Sequence, residues 1–419
     1  MLVQNESKKI MFIIPHLGSG GAERVVANLS KIFDNYKKTV VIFQNVIKYE
    51  VNANIISINT PGSTNIMKKI KNFFIRLYKI KKIKKQIKPD FVISFLEQDN
   101  IINLLTKSKN SKTILTFHSN TTEYFKTHPY FNQNIGAIIK YFYKFAYKKL
   151  LNKADLLVCV SEGISRDLIR NFGVKSNKII VIHNLVLTEE INRLAQEDLG
   201  IYNYIFKNPV LITAGRLTKP KGQWYLLRVF GQLKETHKDL KLVILGEGEL
   251  KEYLVELSEE LGLRTFVWDR DRFFEDFDVY FLGFQKNPFK FIARSKLFVL
   301  PSLWEGFPNV LVEAMVCGAP VVSSDCRSGP REILAPNTDV EYQTGKPEFA
   351  EYGVLMPVFD GRIKSFDEPL DEKEKIWVEV LDKFLSNEDL RKKYEEKAKE
   401  RVKNFNEVIL KKWEQILKV

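Results

Sequence analysis

The stretch Leu297-Phe298-Val299-Leu300-Pro301-Ser302-Leu303-Trp304-Glu305-Gly306-Phe307-Pro308-Asn309-Val310-Leu311-Val312-Glu313-Ala314 reads as a strand, a loop and the first turns of a helix. Four consecutive apolar residues suit a strand buried on both faces. Pro308 suits the first helical position, where its missing N–H costs nothing. Val310, Leu311, Ala314 and Met315 then recur at helical spacing. A buried strand leading straight into a helix is half of a βαβ unit.

The same unit repeats in both directions along the chain. Short apolar runs of buried-strand type stand at Ile10–Ile14, Thr39–Phe43, Phe91–Phe95, Thr113–Phe117, Leu156–Val160 and Ile179–Ile182. A second series runs through Val210–Ala214, Leu242–Leu245, Val279–Leu282, Leu297–Leu300 and Pro320–Ser323. Helical periodicity fills the intervals, as at Ala22–Ile32, Ile66–Ile87 and Ile138–Leu151. The pattern predicts an α/β protein with two doubly wound, Rossmann-like parallel-sheet domains and a cleft between them. The polar, acidic stretch Thr188–Lys207 interrupts the rhythm and reads as a linker. The predicted division is residues 1–187, linker 188–207, residues 208–390, and C-terminal helices over 391–419. Arg264–Asp278 and Asn337–Pro369 read as irregular charged insertions, and Asp371–Val419 as helical throughout.

At 419 residues, with 45% hydrophobic and 28% charged residues, the chain has the composition of a soluble globular protein. No apolar run is long enough to span a bilayer. Met1–Lys9 is polar and does not read as a secretory signal. Three cysteines and five scattered histidines suggest neither a disulfide framework nor a metal site, and suit a reducing cytosol. The net charge is +14, and two segments carry it. Pro61–Asp90 holds ten Lys or Arg against one Asp, and Thr121–Lys153 holds six Lys against one Glu. Both interleave aromatics, among them Phe73, Phe74 and Tyr78 in the first and Tyr141, Phe142, Tyr143, Phe145 and Tyr147 in the second. Such basic, apolar helices suit an anionic membrane surface, with Lys81, Lys82, Lys84 and Lys85 as the contact residues. Nucleic acid is the rival partner, and a solvated basic face the plain alternative.

In open α/β sheets ligands bind at the carboxyl ends of strands, and every candidate site residue lies at such an end. Glu305 and Glu313 flank a helix start. At ~1.5 Å per residue the helical part alone sets them roughly 8 Å apart. That spacing allows one carboxylate to hold a ribose and the other a sugar, while the helix start faces a diphosphate. A solvated helix Glu beside a loop Glu is the alternative. Gly215-Arg216-Leu217-Thr218-Lys219-Pro220-Lys221-Gly222 offers a forked cation in Arg216 and a point charge in Lys221, both suited to phosphate. Gly246 and Gly283-Phe284 end two further strands and suit a base and ribose, or simply tight turns. The turn at Gly20-Gly21 opens a helix and allows close backbone approach. His118, after Thr113–Phe117, offers polar contact or proton transfer. Asp269, Asp271, Asp276 and Asp278 mimic an acidic metal clamp but lie in the charged insertion, and read as ordinary surface carboxylates.

Taken together, Gly-Gly-Ala-Glu-Arg-Val at 20–25, Val-Ile-His-Asn at 181–184, Gly-Arg-Leu at 215–217 with Lys221-Gly222, and Pro301-Ser302 through Glu313 resemble the retaining glycosyltransferases of family 4, with the GT-B fold. Phe281–Leu334 carries the most specific part of the likeness, whose flavour resembles bacterial enzymes that build surface glycans on lipid carriers. The resemblance implies that Glu313 holds the ribose hydroxyls and that Glu305 holds the donor sugar with the backbone of Phe307, Pro308 and Asn309. Arg216 and Lys221 would hold the diphosphate, and His118 would sit near the reacting carbon. It further implies a nucleotide-diphosphate sugar donor, UDP-linked, a glycan or polyprenyl-linked acceptor, no metal or other cofactor, and work at the cytoplasmic face of the membrane. Leu185 departs from the Pro frequent at that point of the family. Lys403–Val419 is expected to return to the first domain. A nucleotide-sugar 2-epimerase, a glycoside hydrolase using the two glutamates, and a basic nucleic-acid-binding protein are the alternatives.

Overall fold

The computed structural model describes residues 7–18, 20–127, 145–272, 276–403 and 405–418. It divides into two compact units, Met1–Leu185 with Val408–Val419, and Val186–Glu407.

The first unit is built on a seven-stranded sheet of β1 (Lys9–Ile14), β2 (Lys37–Ile42), β3 (Asn54–Ser57), β4 (Phe91–Phe95), β5 (Lys112–Phe117), β6 (Leu156–Cys159) and β7 (Ile179–Val181). All pairs are parallel, in the order β3-β2-β1-β4-β5-β6-β7. Ile10 through Ile14 are fully buried, as a strand covered on both faces requires. Chain order reverses between β1 and β4, the place where such sheets open a crevice. The last helix belongs to this unit from Val408 on. Trp413 sets its ring edge-on to Phe33 at 6.0 Å, and Lys412 donates to the Val181 carbonyl at 2.9 Å.

The second unit has an eight-stranded sheet: β8 (Val210–Ala214), β9 (Lys241–Leu245), β10 (Thr265–Val267), β11 (Val279–Phe281), β12 (Leu297–Leu300), β13 (Val321–Ser324), β14 (Glu348–Phe349) and β15 (Val354–Met356). The order is β10-β11-β9-β8-β12-β13-β15-β14, parallel except for β14 against β15. Here the order reverses between β8 and β12. Three helices follow: Glu372–Ser386, opened by a capping box between Asp371 and Glu374, then Glu388–Lys403 and Phe405–Lys418.

Several expectations are corrected. Thr188–Lys207 is not a linker. It forms the helix Thr188–Ala195 and a 3-10 helix, Gly200–Lys207, within the second unit. Its polar composition hides Ile191, Ala195, Leu199 and Ile205, all buried, and Tyr202 and Phe206 pack on Phe291. The stretch Arg264–Asp278 contributes β10, and Asn337–Pro369 contributes β14 and β15. Residues 360–369 of the latter are strapped to the helix Gln223–Thr236 through Tyr225 and Arg228. Trp224 donates to the Arg362 carbonyl at 2.9 Å, and Arg228 pairs with Glu374 at 2.7 Å with both side chains buried. β3 escapes sequence reading because it is short and only half-buried. Residues 145–151 are helical, while the rest of the helix expected over Ile138–Leu151 lies outside the described residues.

Candidate active site

In the second unit the carboxyl ends of β8, β9 and β11 are stitched together through glycines. The Gly215 N–H donates to the Leu245 carbonyl at 2.9 Å, and the Gly246 N–H to the Gly283 carbonyl at 2.8 Å. Gly246 has φ +139°, and a Cβ there would stand 1.9 Å from the Gly215 carbonyl oxygen. Only glycine permits that approach. Gly283 is pressed on Trp268, where a Cβ would fall 2.7 Å from the ring, and Phe284 beside it is half-buried. Sequence-predicted Gly246 and Gly283 therefore meet, held by the same loop that presents Arg216.

Lys221 Nζ lies 2.5 Å from Glu305 Oε1, an ion pair that spans the crossover between β8 and β12. The two side chains are only 18% and 10% exposed. Ser302 Oγ donates to the same carboxylate oxygen at 2.7 Å. The expectation that Lys221 serves a diphosphate and Glu305 a sugar must accommodate this mutual neutralisation. Arg216 is exposed, with its carbonyl fixed by Gln223 Nε2 at 3.0 Å. Its guanidinium makes no ion pair among the described residues.

Backbone bonds also pin the Glu305 loop. The Glu305 N–H donates to the Arg327 carbonyl at 2.9 Å, and the Ser328 N–H returns to the Glu305 carbonyl at 2.8 Å. Gly329, at φ +99°, lets Pro308 come close, since a Cβ would stand 2.7 Å from its ring. Phe307 stacks on Phe405 with centroids 6.1 Å apart. Pro308 is the residue before the helix Asn309–Val316, one place earlier than expected. That helix has no single apolar face: Leu311 through Val316 are all buried, because it packs on the sheet and also on the helices Thr188–Ala195 and Glu388–Lys403. Glu313 is buried within it at 5% exposure, which removes the reading of a solvated carboxylate.

Sequence reasoning passed over several polar groups here. Ser302, Gln223 and Ser328 are all buried, and Gln223 Oε1 and Ser328 Oγ have no hydrogen-bond partner among the described residues. Position in the loop after β12 or β13 was the available signal for Ser302 and Ser328, and position at a helix start for Gln223. Elsewhere in this unit a cavity of about 480 Å³ is lined by Arg331, Tyr342, Thr344 and Lys346. It contains none of the sequence-predicted residues, and its Arg331 is already paired with Asp325 at 2.6 Å and Glu348 at 2.7 Å. Asp276 and Asp278 are likewise taken by Lys241 and Lys234, both at 2.8 Å.

In the first unit, His118 stands just past β5, half-buried and stacked on Phe95 at 5.4 Å, with Nε2 2.9 Å from Thr116 Oγ1. Desolvation by the surrounding residues pushes its pKa down to about 3. The ring is neutral at physiological pH and a poor base, which favours hydrogen bonding over proton transfer. Gly20 precedes the helix Gly21–Ile32, and the buried Glu23 folds back over it; a Cβ on Gly20 would stand 2.2 Å from Oε2. Glu97 and Asp99, which follow β4, escaped sequence reading. Asp99 is fully buried, and neither of its oxygens is hydrogen-bonded among the described residues. Its pKa lies well above the usual carboxylate range through burial, with Glu97 and Glu23 adding and Arg76 opposing.

The basic helix Ile66–Ile87 is present, and one of its four expected contact lysines is corrected. Lys81, Lys82 and Lys85 are exposed, but Lys84 is buried and donates to Asn103 Oδ1 at 2.7 Å and to the Asn103 and Thr106 carbonyls. Met67, Ile70, Phe74 and Tyr78 are exposed, whereas Phe73 packs towards the core. Residues 128–144 of the second basic segment, with Tyr141, Phe142 and Tyr143, lie outside the described residues; of its other named aromatics Phe145 is exposed and Tyr147 is buried. No helix among the described residues is long and apolar enough to cross a membrane.

Burial pushes the Lys84 pKa down from 10.5 to about 7. Between those values the unfolded chain binds more protons than the folded one, so stability from this group rises with pH there and is flat below. Melting near pH 7 and near pH 9 should show a larger gain for the wild type than for Lys84→Met. Equal gains would mean that Lys84 is hydrated and free to reach the surface.

Comparison with known proteins gives a consistent picture. The model for "Glycosyltransferase Family 4" matches residues 19–190, and that for "Glycosyl transferases group 1" matches residues 203–345. An uncharacterized glycosyltransferase of Methanocaldococcus jannaschii is 35% identical, over 92% of this chain and 94% of its own length. The N-acetylgalactosamine-N,N'-diacetylbacillosaminyl-diphospho-undecaprenol 4-alpha-N-acetylgalactosaminyltransferase of Campylobacter jejuni is 32% identical, over 96% of each chain. Among solved structures, Anabaena HepE in complex with UDP and glucose superposes with a TM-score of 0.68 at 16% identity, covering 97% of this chain and 99% of its own.

Proposed function

This chain belongs to the glycosyltransferases of family 4, with the GT-B fold, and from that premise we propose that it moves a sugar, with retention, from a UDP-linked donor to a glycan carried on a polyprenyl diphosphate. The observation that carries the site assignment is the Lys221–Glu305 pair across the β8/β12 crossover, with Arg216 exposed on the same loop. Cations and a carboxylate side by side suit a ligand with a diphosphate at one point and hydroxyls at the next.

In the proposed reaction the bond between the sugar C1 and the diphosphate oxygen breaks, and a bond from C1 to the acceptor oxygen forms on the same face. The acceptor proton goes to the departing phosphate oxygen. Arg216, Lys221 and the helix start at Asn309 stabilise the charge that accumulates there. Glu305 takes sugar hydroxyls, Glu313 the ribose, and the Gly246 and Gly283-Phe284 turns the base. In the first unit, His118 is assigned to polar contact with a sugar hydroxyl, as a neutral ring, and the Gly20–Gly21 turn to close backbone approach. Attack on the donor face needs no covalent intermediate, which suits a Glu305 whose Oε1 is already engaged by Lys221 and Ser302. Two protein cations at the diphosphate support metal independence, so activity in excess chelator should match that without it. A metal requirement would count against this assignment of the cations.

The test is direct. UDP-sugars should raise the melting temperature, and transfer should appear only when an acceptor is added, either polyprenyl-linked or its short soluble analogue. An isomerised donor without acceptor would point to the epimerase instead. The helix Ile66–Ile87 supports work at an anionic membrane surface, inside the cell. Lys81→Glu/Lys82→Glu/Lys85→Glu should abolish binding to anionic liposomes at moderate salt while sparing transfer to a short soluble acceptor. Preference for oligonucleotides over liposomes at equal salt would overturn the membrane assignment.

A further inference from the structure

Glu305 is held by two donors of different kinds on a single oxygen. Lys221 Nζ reaches Oε1 at 2.5 Å from the 3-10 helix Lys219–Lys221, and Ser302 Oγ reaches it at 2.7 Å from the end of β12. Oε2 makes no hydrogen bond among the described residues. Ser302 is fully buried, and its carbonyl accepts from the buried Ser324 Oγ on β13, so the hydroxyl rides on a rigid base. The lysine, by contrast, is a flexible ammonium on a four-carbon stem.

A carboxylate carries one negative charge and a diphosphate more, so an ammonium between them is drawn to the diphosphate. A nearly buried carboxylate that loses its only cation must keep a hydrogen-bond donor, or it will hold the cation back. We propose that Ser302 is a positioning residue for the transfer reaction: it retains Oε1 of Glu305 while Lys221 passes from Glu305 to the diphosphate, leaving Oε2 to receive a sugar hydroxyl. This rests on the donor assignment made above for the same site.

The proposal is tested by titrating the full-length wild type, Glu305→Gln, Ser302→Ala and the double variant with UDP and with GDP in a calorimeter. Glu305→Gln releases Lys221 and should bind the nucleoside diphosphate at least about fivefold more tightly, although its turnover is lost. Ser302→Ala leaves Lys221 tied to Glu305 and should bind about three- to tenfold more weakly. In the double variant no carboxylate charge remains to be held, so the Ser302→Ala loss should vanish. A merely structural serine would weaken binding equally in both backgrounds, and that result overturns the positioning role. Unchanged or weaker binding by Glu305→Gln overturns the exchange of Lys221. A wild type that binds neither diphosphate removes the donor assignment, and this proposal with it.

Discussion

Arg216→Ala lowers kcat/KM for the nucleotide-sugar donor by about 10²- to 10³-fold, the loss typical when one fixed donor to a developing oxyanion is removed. Arg216 is exposed and its guanidinium forms no ion pair among the described residues, so the fold does not depend on it. Its backbone is fixed by Gln223 and by the loop that Gly215 and Gly246 close, so the side chain is presented from a rigid base. The melting temperature should therefore stay close to that of the wild type, with stability changed by about 0.5 kcal/mol or less. Arg216→Lys should recover only part of the rate, because a lysine restores charge but not the planar fork. Steady-state kinetics over donor concentration, together with a melting curve, check both parts. Near-normal turnover by the alanine variant would remove the diphosphate role.

Gly246→Ala acts in the opposite way, through stability. The new Cβ would fall 1.9 Å from the Gly215 carbonyl oxygen, at φ +139°. The obstacle is backbone, which cannot swing aside as a side chain can, and the conformation is itself disfavoured for alanine. The β8 and β9 loops must separate, which breaks the bonds that carry Arg216. A loss of about 3 kcal/mol or more is expected, from the strain mechanism behind the larger single-substitution effects. Gly345→Ala is the control: nothing lies within 4 Å of its Cβ position and its backbone is not left-handed. Urea denaturation should separate the two variants clearly, and the Gly246 variant should also lose nucleotide binding. Wild-type stability in Gly246→Ala would mean that the three loops do not meet as described.

The parallel sheets were legible because a strand covered on both faces must be apolar at nearly every position. Ile10–Ile14 and Val210–Ala214 announce themselves in that way. β3 and β10 did not, being short and set among polar residues. Thr188–Lys207 misled through composition: few apolar residues suffice to dock a helix when the rest of its surface faces water. Pro308 was misplaced by one residue, within the ordinary uncertainty of a helix start.

For the candidate site, residue type and position in the strand-to-helix connections nominated Arg216, Lys221, Glu305, Glu313, Gly246 and Gly283, and the structure adds how they are held. Hydropathy and charge along a chain report which side chains prefer water, and strand ends report where ligands bind in such sheets. Neither reports which charged side chain meets which. That is why Lys84 read as a surface lysine when it is buried on Asn103 and Thr106. It is also why Lys221 and Glu305, eighty-four residues apart, read as two separate grips when they are one ion pair shared with Ser302. The sequence by itself determined the fold class, the family and the chemistry available. Only the tertiary structure decided the partners, because adjacency of β8 and β12 is a property of the sheet order, and burial of a charge depends on what packs around it.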